Sequence, residues 1–134
     1  MMQTLDDFLV EWEDTPERTK AAFLRLKQHL EAKPGVSLEF VSRPGITYSL
    51  RASHENQQDK PLFVLVDVIE DQPRWLSVCF YMEMIDDDEG RGNDVPQGIL
   101  GEDAICFDLD AFDEEELNYV AARMDEAFLR AAGH

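Results

Sequence analysis

Polar side chains at alternating positions of apolar, strand-like segments are the residues of this sequence best placed to do chemistry. Side chains alternate between the two faces of a strand, so residues of matching parity on neighbouring strands can share one face of a sheet. A carboxylate, a guanidinium and a phenol gathered there could bind a small polar ligand or perform acid–base catalysis. The candidates are Arg43, Arg51, Asp67, Tyr81, Glu83 and Asp108.

Asp67 interrupts the almost continuous apolar segment LFVLVDVI at residues 62–69, which is typical of a central strand covered on both faces. A buried carboxylate needs a charged or hydrogen-bonding partner, and Arg43 and Arg51 are the expected ones. If the face binds a ligand, we expect Arg51 to orient an anion and Asp67 or Glu83 to act as a base. Alternatively, the face is simply wet, since many antiparallel sheets alternate in this way and leave one face in water.

Residues 86–94, DDDEGRGND, are rich in carboxylates but do not fit a calcium-binding loop. An EF-hand needs oxygen ligands at positions 1, 3 and 5, glycine at 6 and glutamate at 12. With Asp86 first, glycine falls at position 5 and glutamine at 12; starting one residue later puts arginine at 5 and glycine at 12. Residues 86–103 are therefore predicted to form a solvated, mobile loop or a flap over the polar sheet face, without a metal ion.

The other reactive residue types do not form a recognisable site. Asp108 and Asp110 are spaced as in some magnesium sites, but neither a glycine-rich phosphate loop nor its lysine accompanies them. The three histidines lie outside any nucleophile motif. Cys79 and Cys106 fall in apolar segments without a CxxC neighbour, which predicts buried, reduced thiols. No cofactor is expected.

Net charge is the most unusual property of the chain. Twelve Lys and Arg stand against 29 Asp and Glu among 134 residues, a formal charge of −17. Such a chain is not expected to bind nucleic acid or an anionic membrane, because both are recognised chiefly through Lys and Arg. The charge favours solubility and the attraction of basic partners. The start, MMQTLDDFLVEWED, lacks the basic residues and apolar core of a signal peptide, which predicts a cytoplasmic protein.

Helical segments lie at both ends of the chain. Thr4 is a candidate N-cap for a first helix, and Thr15, followed by proline, for a second that ends at the KPG of residues 33–35. Asp113, with Glu116 three residues later, has the spacing of a capping box for a last helix. Apolar residues recur at spacings of three and four behind each of these caps, as in helices that bury one side.

Strand-like segments occupy the middle of the chain, where apolar residues alternate or run together. The predicted strands are residues 36–41, 46–51, 62–69, 75–85 and 104–110. Strands grouped between helices indicate an α+β fold, expected as one domain over residues 1–134. The expected architecture is a mostly antiparallel sheet of about five strands, with the N-terminal and C-terminal helices packed on one face.

The order of a helix, RPGITYSLR, LFVLVDV, WLSVCFY and a terminal helix resembles the small bacterial α+β domains of the YdhG-like kind. The resemblance covers roughly residues 16–132 and consists of the layout and a few aromatic strand positions. It implies the fold and brings no catalytic residue with it. The long segment 86–103 departs from the compact pattern of that family.

Two classes of function fit these observations. The first is a non-enzymatic module that binds a basic protein partner, or a second copy of itself as a homodimer, through the sheet. In one variant of it, the acidic surface imitates nucleic acid and inhibits a DNA-binding protein. The second is a small-ligand binder or hydrolase that uses the polar sheet face. The lack of a catalytic motif favours the first class, and the state of the second sheet face would separate the two.

Overall fold

The computed structural model describes residues 3–133, in which three α-helices and six β-strands form. They are, in chain order, α1 (Leu5–Glu11), α2 (Thr19–Glu31), β1 (Val36–Arg43), β2 (Thr47–His54), β3 (Val64–Ile69), β4 (Trp75–Tyr81), β5 (Asn93–Ile99), β6 (Glu102–Leu109) and α3 (Glu114–Ala131). All neighbouring strands pair antiparallel, in the order β1-β2-β3-β4-β6-β5. The predicted α+β class is confirmed. None of the helices in the described range is long and apolar enough to cross a membrane.

The sheet has one strand more than predicted, because β5 lies inside the segment that was predicted to be a loop. Its sequence, NDVPQGI, contains proline and glycine, which argue against a strand. β5 is an edge strand that pairs with β6 alone, and its register shifts between Val95 and Ile99. A proline is tolerated at an edge because one side of the strand makes no ladder hydrogen bonds.

Helices pack against one face of the sheet, which we call the covered face. Phe8 of α1 stacks on Tyr48 of β2, with ring centroids 4.2 Å apart. The ring centroid of Tyr119 of α3 lies 5.9 Å from that of Phe107 of β6. Helix α2 contacts β1, β4 and α3. Fully burying one large apolar side chain stabilises a fold by about 1.5–3 kcal/mol, so this face supplies much of the stability.

Two of the three predicted helix caps are confirmed. The Thr4 hydroxyl accepts a hydrogen bond from the backbone N–H of Asp7 at 3.1 Å, and the Asp7 carboxylate accepts one from the N–H of Thr4. The Asp113 carboxylate accepts one from the N–H of Glu116, also at 3.1 Å. These caps are local, so spacing along the sequence is sufficient to find them.

The predicted start of α2 at Thr15 is wrong. Residues 15–18 form a turn in which the N–H of Arg18 donates to the carbonyl of Thr15 at 2.8 Å. Arg18 adopts a left-handed φ of 59°, and α2 begins at Thr19. The Thr19 hydroxyl donates to the carbonyl of Arg74 at 2.8 Å. The first residue of α2 is therefore bonded to a residue far away in the sequence.

Cys79 and Cys106 form a disulfide, so the prediction of reduced thiols is wrong. The two residues face each other directly on β4 and β6, with Cα atoms 4.1 Å apart, although 27 positions separate them in sequence. Both are buried, at 5% exposure. The register of the sheet brings them together, and spacing along the chain does not reveal it. Because disulfides are rare in cytosolic proteins, the cytoplasmic location stays a prediction.

Candidate functional site

The second face of the sheet, which points away from the helices, carries most of the candidate residues in cross-strand rows. The central row, from β1 to β6, consists of Val41, Ser49, Asp67, Ser77 and Asp108. On one side of it lies the row of Arg43, Thr47, Ile69 and Trp75. On the other lies the row of Glu39, Arg51, Leu65, Cys79 and Cys106.

Asp67 occupies the middle of the central row, directly opposite Ser49 on one side and Ser77 on the other. Its Oδ1 is buried and has no hydrogen-bond partner among residues 3–133. Burial raises the pKa of Asp67, while the Ser49 hydroxyl and the charges of Arg51 and Arg43 act in the lowering direction. An unpaired buried carboxyl oxygen costs free energy, so the position of Asp67 is not explained by packing alone.

Arg43 and Arg51 flank Asp67 without forming an ion pair with any carboxylate of the described residues. Arg51 is half-buried and its Nε donates to the Ser49 hydroxyl at 3.2 Å. Arg43 is exposed at the end of β1. Two guanidinium groups therefore lie near Asp67 with charges that no direct carboxylate contact neutralises.

Tyr81 and Glu83 belong to a different cluster. Tyr81 lies four residues beyond Ser77 on β4, about 13 Å along the strand. Its hydroxyl is buried without a hydrogen-bond partner in the described chain, and burial raises its pKa. Glu83 lies in a 3-10 turn (Met82–Met84) after β4 and pairs with Lys60 at 3.3 Å. Lys60 also pairs with Glu102 and lies 4.8 Å from the centroid of the Tyr81 ring.

Asp108 shares the central row with Asp67 but not its surroundings. Ser77 of β4 lies between them, so the two carboxylates are separated by two strand spacings, about 10 Å. Asp108 is exposed. The six candidates thus divide into Asp67 with Arg43 and Arg51, Tyr81 with Glu83 beside Lys60, and Asp108 alone.

The acidic residues after β4 lie against α3, whereas Leu100 of the same predicted loop reaches the second face beside Arg51. Asp87 accepts hydrogen bonds from the N–H groups of Arg91 and Gly92, at 3.1 and 2.8 Å, and from the hydroxyl of Tyr119 on α3. Burial tends to raise the pKa of Asp87, but these bonds outweigh it and the pKa is lowered. Arg91 pairs with Glu115 of α3 at 2.8 Å. Within residues 3–133, no three acidic, histidine or cysteine side chains are grouped to hold a metal ion.

Arg74 is an extensively bonded residue that sequence reasoning missed. Its guanidinium lies 5.0 Å from the ring centroids of Phe8 and Tyr48 and pairs with Glu11 and Glu70, both at 2.9 Å. The bonds to Arg74 lower the pKa of Glu70. The residue joins α1 to the β3–β4 turn beside a cavity of about 490 Å³. Its charge is already matched by two carboxylates, which indicates a structural role.

The two ends of the second face differ in cover. Near Arg51, Leu100 of the β5–β6 turn and Leu62 enclose a cavity of about 230 Å³. Toward the β3–β4 turn, by contrast, side chains are half-exposed or exposed. We call that part the open end; it consists of Val41, Arg43, Thr47, Ile69 and Trp75.

No family model, no curated protein and no solved structure matches the chain. The resemblance to the YdhG-like domains therefore stays a prediction, and function has to be inferred from the geometry of the second face.

Proposed function

We propose that the chain is a non-enzymatic, cytoplasmic protein-binding module that binds its partner through the open end of the second sheet face. The observation that carries this proposal is the direct pairing of half-exposed Trp75 and Ile69, with Arg43, which forms no ion pair among the described residues, in the same row. Tryptophan and arginine around an apolar centre are the residues that most often dominate binding energy at protein interfaces.

The distances between the candidate acids favour binding over catalysis. A general acid and a general base must both come within about 3 Å of the reacting atoms. Asp67 is separated from Tyr81 and Glu83 by a complete row of side chains, which includes Cys79. A single small substrate at Asp67 would therefore not reach the other two groups.

The charge distribution defines the chemistry of the partner. At a distance, a formal charge of −17 attracts a basic protein and accelerates encounter. At the contact itself, the partner would supply an apolar side chain to Trp75 and Ile69. A carboxylate of the partner would face Arg43, since a guanidinium pairs well with a carboxylate.

Affinity capture with the purified chain, followed by binding measurements on the captured protein, tests the proposal. Trp75→Ala is expected to weaken that binding by about tenfold or more, because it removes a central aromatic contact. Leu129→Ala is the matched control, since Leu129 is a large, 49% exposed apolar residue of α3 outside the open end. Its binding should stay within about twofold of the unmodified chain.

Two results would contradict a binding role for the open end. One is a captured partner that binds the Trp75→Ala and Leu129→Ala variants equally well. The other is a chain that captures nothing and stays monomeric in native mass spectrometry at all concentrations tested.

A small-ligand binder is a second candidate, supported by the unpartnered Oδ1 of Asp67 and by the cavity of about 230 Å³ beside Arg51. Arg51, which lines that cavity and forms no ion pair among the described residues, would bind the carboxylate of an organic acid. A thermal-shift screen of small acids, nucleotides and metal ions should then find a compound that raises Tm. Arg51→Gln should abolish that shift, and a screen without any shift would exclude this candidate.

A further inference from the structure

The outer edge of β1 has no partner strand within residues 3–133. An edge strand presents unpaired backbone N–H and C=O groups, which another strand can use to extend the sheet. β1 is eight residues long, contains neither proline nor glycine, and pairs with β2 in unbroken register from Val36 to Arg43. Nothing in its own backbone disturbs the regular spacing of these groups.

The opposite edge of the sheet is built differently. β5 contains Pro96, has a shift in register, and adopts a left-handed φ of 58° at Gln97. Proline, bulges and charges are the features by which proteins prevent a sheet edge from pairing. The edge at β5 is thus protected, while the edge at β1 is regular and open.

The side chains of β1 are complementary to a second copy of themselves. Glu39 and Arg43 lie on the second face at equal distances from Val41. Both are exposed, and neither forms an ion pair in the described part of the chain. If two β1 strands pair antiparallel with the two-fold axis at Val41, each Glu39 lies opposite Arg43 of the other copy.

We propose that the chain forms a homodimer in which β1 pairs antiparallel with β1 of a second copy, with its axis at Val41. A two-fold interface requires a surface complementary to itself, and the pair of Glu39 and Arg43 meets that requirement twice. Opposite charges directly across two strands stabilise the pairing, and like charges destabilise it. An axis at Phe40 would place Glu39 opposite Val41 and lose both charge pairs.

The net charge of the chain makes this local balance important. Two copies at −17 each repel one another, so close approach is easiest where the local charge is zero. β1 carries one acidic and one basic residue and is neutral as a segment. The pairing uses the backbone edge of β1 and shares Val41 and Arg43 with the open end, but it does not depend on the proposed function.

Charge reversal tests the pairing and its register together, with dimer dissociation measured by sedimentation equilibrium and native mass spectrometry. Glu39→Arg and Arg43→Glu should each weaken the homodimer by about tenfold or more, because each replaces two opposite-charge pairs by two like-charge pairs. In an equimolar mixture of the two variants, opposite charges face each other again. The mixture should therefore form a heterodimer about as tightly as the unmodified chain dimerises.

Cross-linking provides a second measurement that does not depend on charge. Val41→Cys places one thiol at the axis in each copy, and oxidised glutathione should join the two copies through a disulfide. Ser37→Cys is the matched control on the same face of β1. In the proposed register the two residues at position 37 are eight positions apart along the strands, about 26 Å, and should not cross-link.

Circular dichroism must show that every variant is folded, which is expected because the substituted side chains are exposed or half-exposed. An unmodified chain that remains monomeric at all concentrations would overturn the proposal. So would single charge variants that dimerise as tightly as the unmodified chain, or a mixture that gives no heterodimer. Equal cross-linking at positions 37 and 41 would exclude the proposed register.

Discussion

Two neighbouring rows of side chains, one residue apart on the same strands, have opposite characters. On the covered face the row is Phe40, Leu50, Val66, Val78 and Phe107. On the second face the row is Val41, Ser49, Asp67, Ser77 and Asp108. The first row is entirely apolar and packs under the helices, while the second has a carboxyl group at its centre.

The difference shows which residues hold the fold together and which are available for other work. Hydrophobic burial against the helices fixes the side on which each strand places its apolar residues, since a slip by one residue would turn them toward water. At its open end the second face is not buried, so burial does not restrict which residues occupy it. Residues there can contact other molecules, and replacing them should change the free energy of unfolding little.

The largest expected difference between the two faces is on β4, where Phe80 and Trp75 can be compared. Phe80 is fully buried on the covered face, with its ring centroid 5.9 Å from that of Phe107. Phe80→Ala should lower the free energy of unfolding by about 3–5 kcal/mol, since it leaves a cavity. Trp75→Ala should cost less than half as much in the same urea titration. Equal losses would show that the second face is as tightly packed as the covered face.

Removal of the disulfide on the second face should have the next largest effect. The bond between Cys79 and Cys106 closes a loop with a sequence separation of 27. Without this cross-link the unfolded chain gains conformational entropy, which for a loop of that size lowers the free energy of unfolding by about 3.5 kcal/mol. The double variant Cys79→Ala/Cys106→Ala should lose stability by about this amount. Adding a reductant should destabilise the unmodified chain but not the double variant; an effect on both would contradict the prediction.

A smaller, pH-dependent effect is expected at Asp67. Burial raises its pKa in the folded chain, so the folded state binds the proton more tightly than the unfolded state. The contribution of Asp67 to stability should therefore fall as pH rises from about 3.9, the ordinary value for aspartate, through the raised pKa. Asp67→Asn should gain stability relative to the unmodified chain over that interval, because an amide does not titrate there. A difference that does not change with pH would contradict this origin.

Asp108→Asn should have the smallest effect and serves as the control for Asp67. The two residues occupy the same row, but Asp108 is exposed. Surface substitutions of this kind change stability by less than about 0.5 kcal/mol. Urea denaturation of the two chains should show that small difference. A larger change would mean that Asp108 also contributes to the packing of the second face, and that the central row acts as a unit.

Local features of the fold could be predicted from the sequence. The N-caps at Thr4 and Asp113 depend on residues three positions apart, and alternation located most of the strands. β5 could not be predicted, because Pro96 and Gly98 contradict strand propensity and only pairing with β6 holds the segment extended.

The candidate site could be predicted only as a set of residues on similar strands. Register decides which of them meet: it places Arg51 near Asp67 and puts a complete row between Asp67 and Tyr81. It also joins Cys79 to Cys106. The sequence predicts a strand over residues 75–85, but β4 ends at Tyr81, so Glu83 lies two residues beyond the strand. Register and strand ends depend on contacts between distant segments, which one sequence does not reveal.

The protected edge at β5 also sets an upper limit on assembly. A sheet with two open edges can add copies indefinitely and grow into a fibre. Here Pro96 and the irregular register stop addition on one side. A second copy that pairs through β1 therefore uses the single regular edge of each described sheet, and growth ends with two copies.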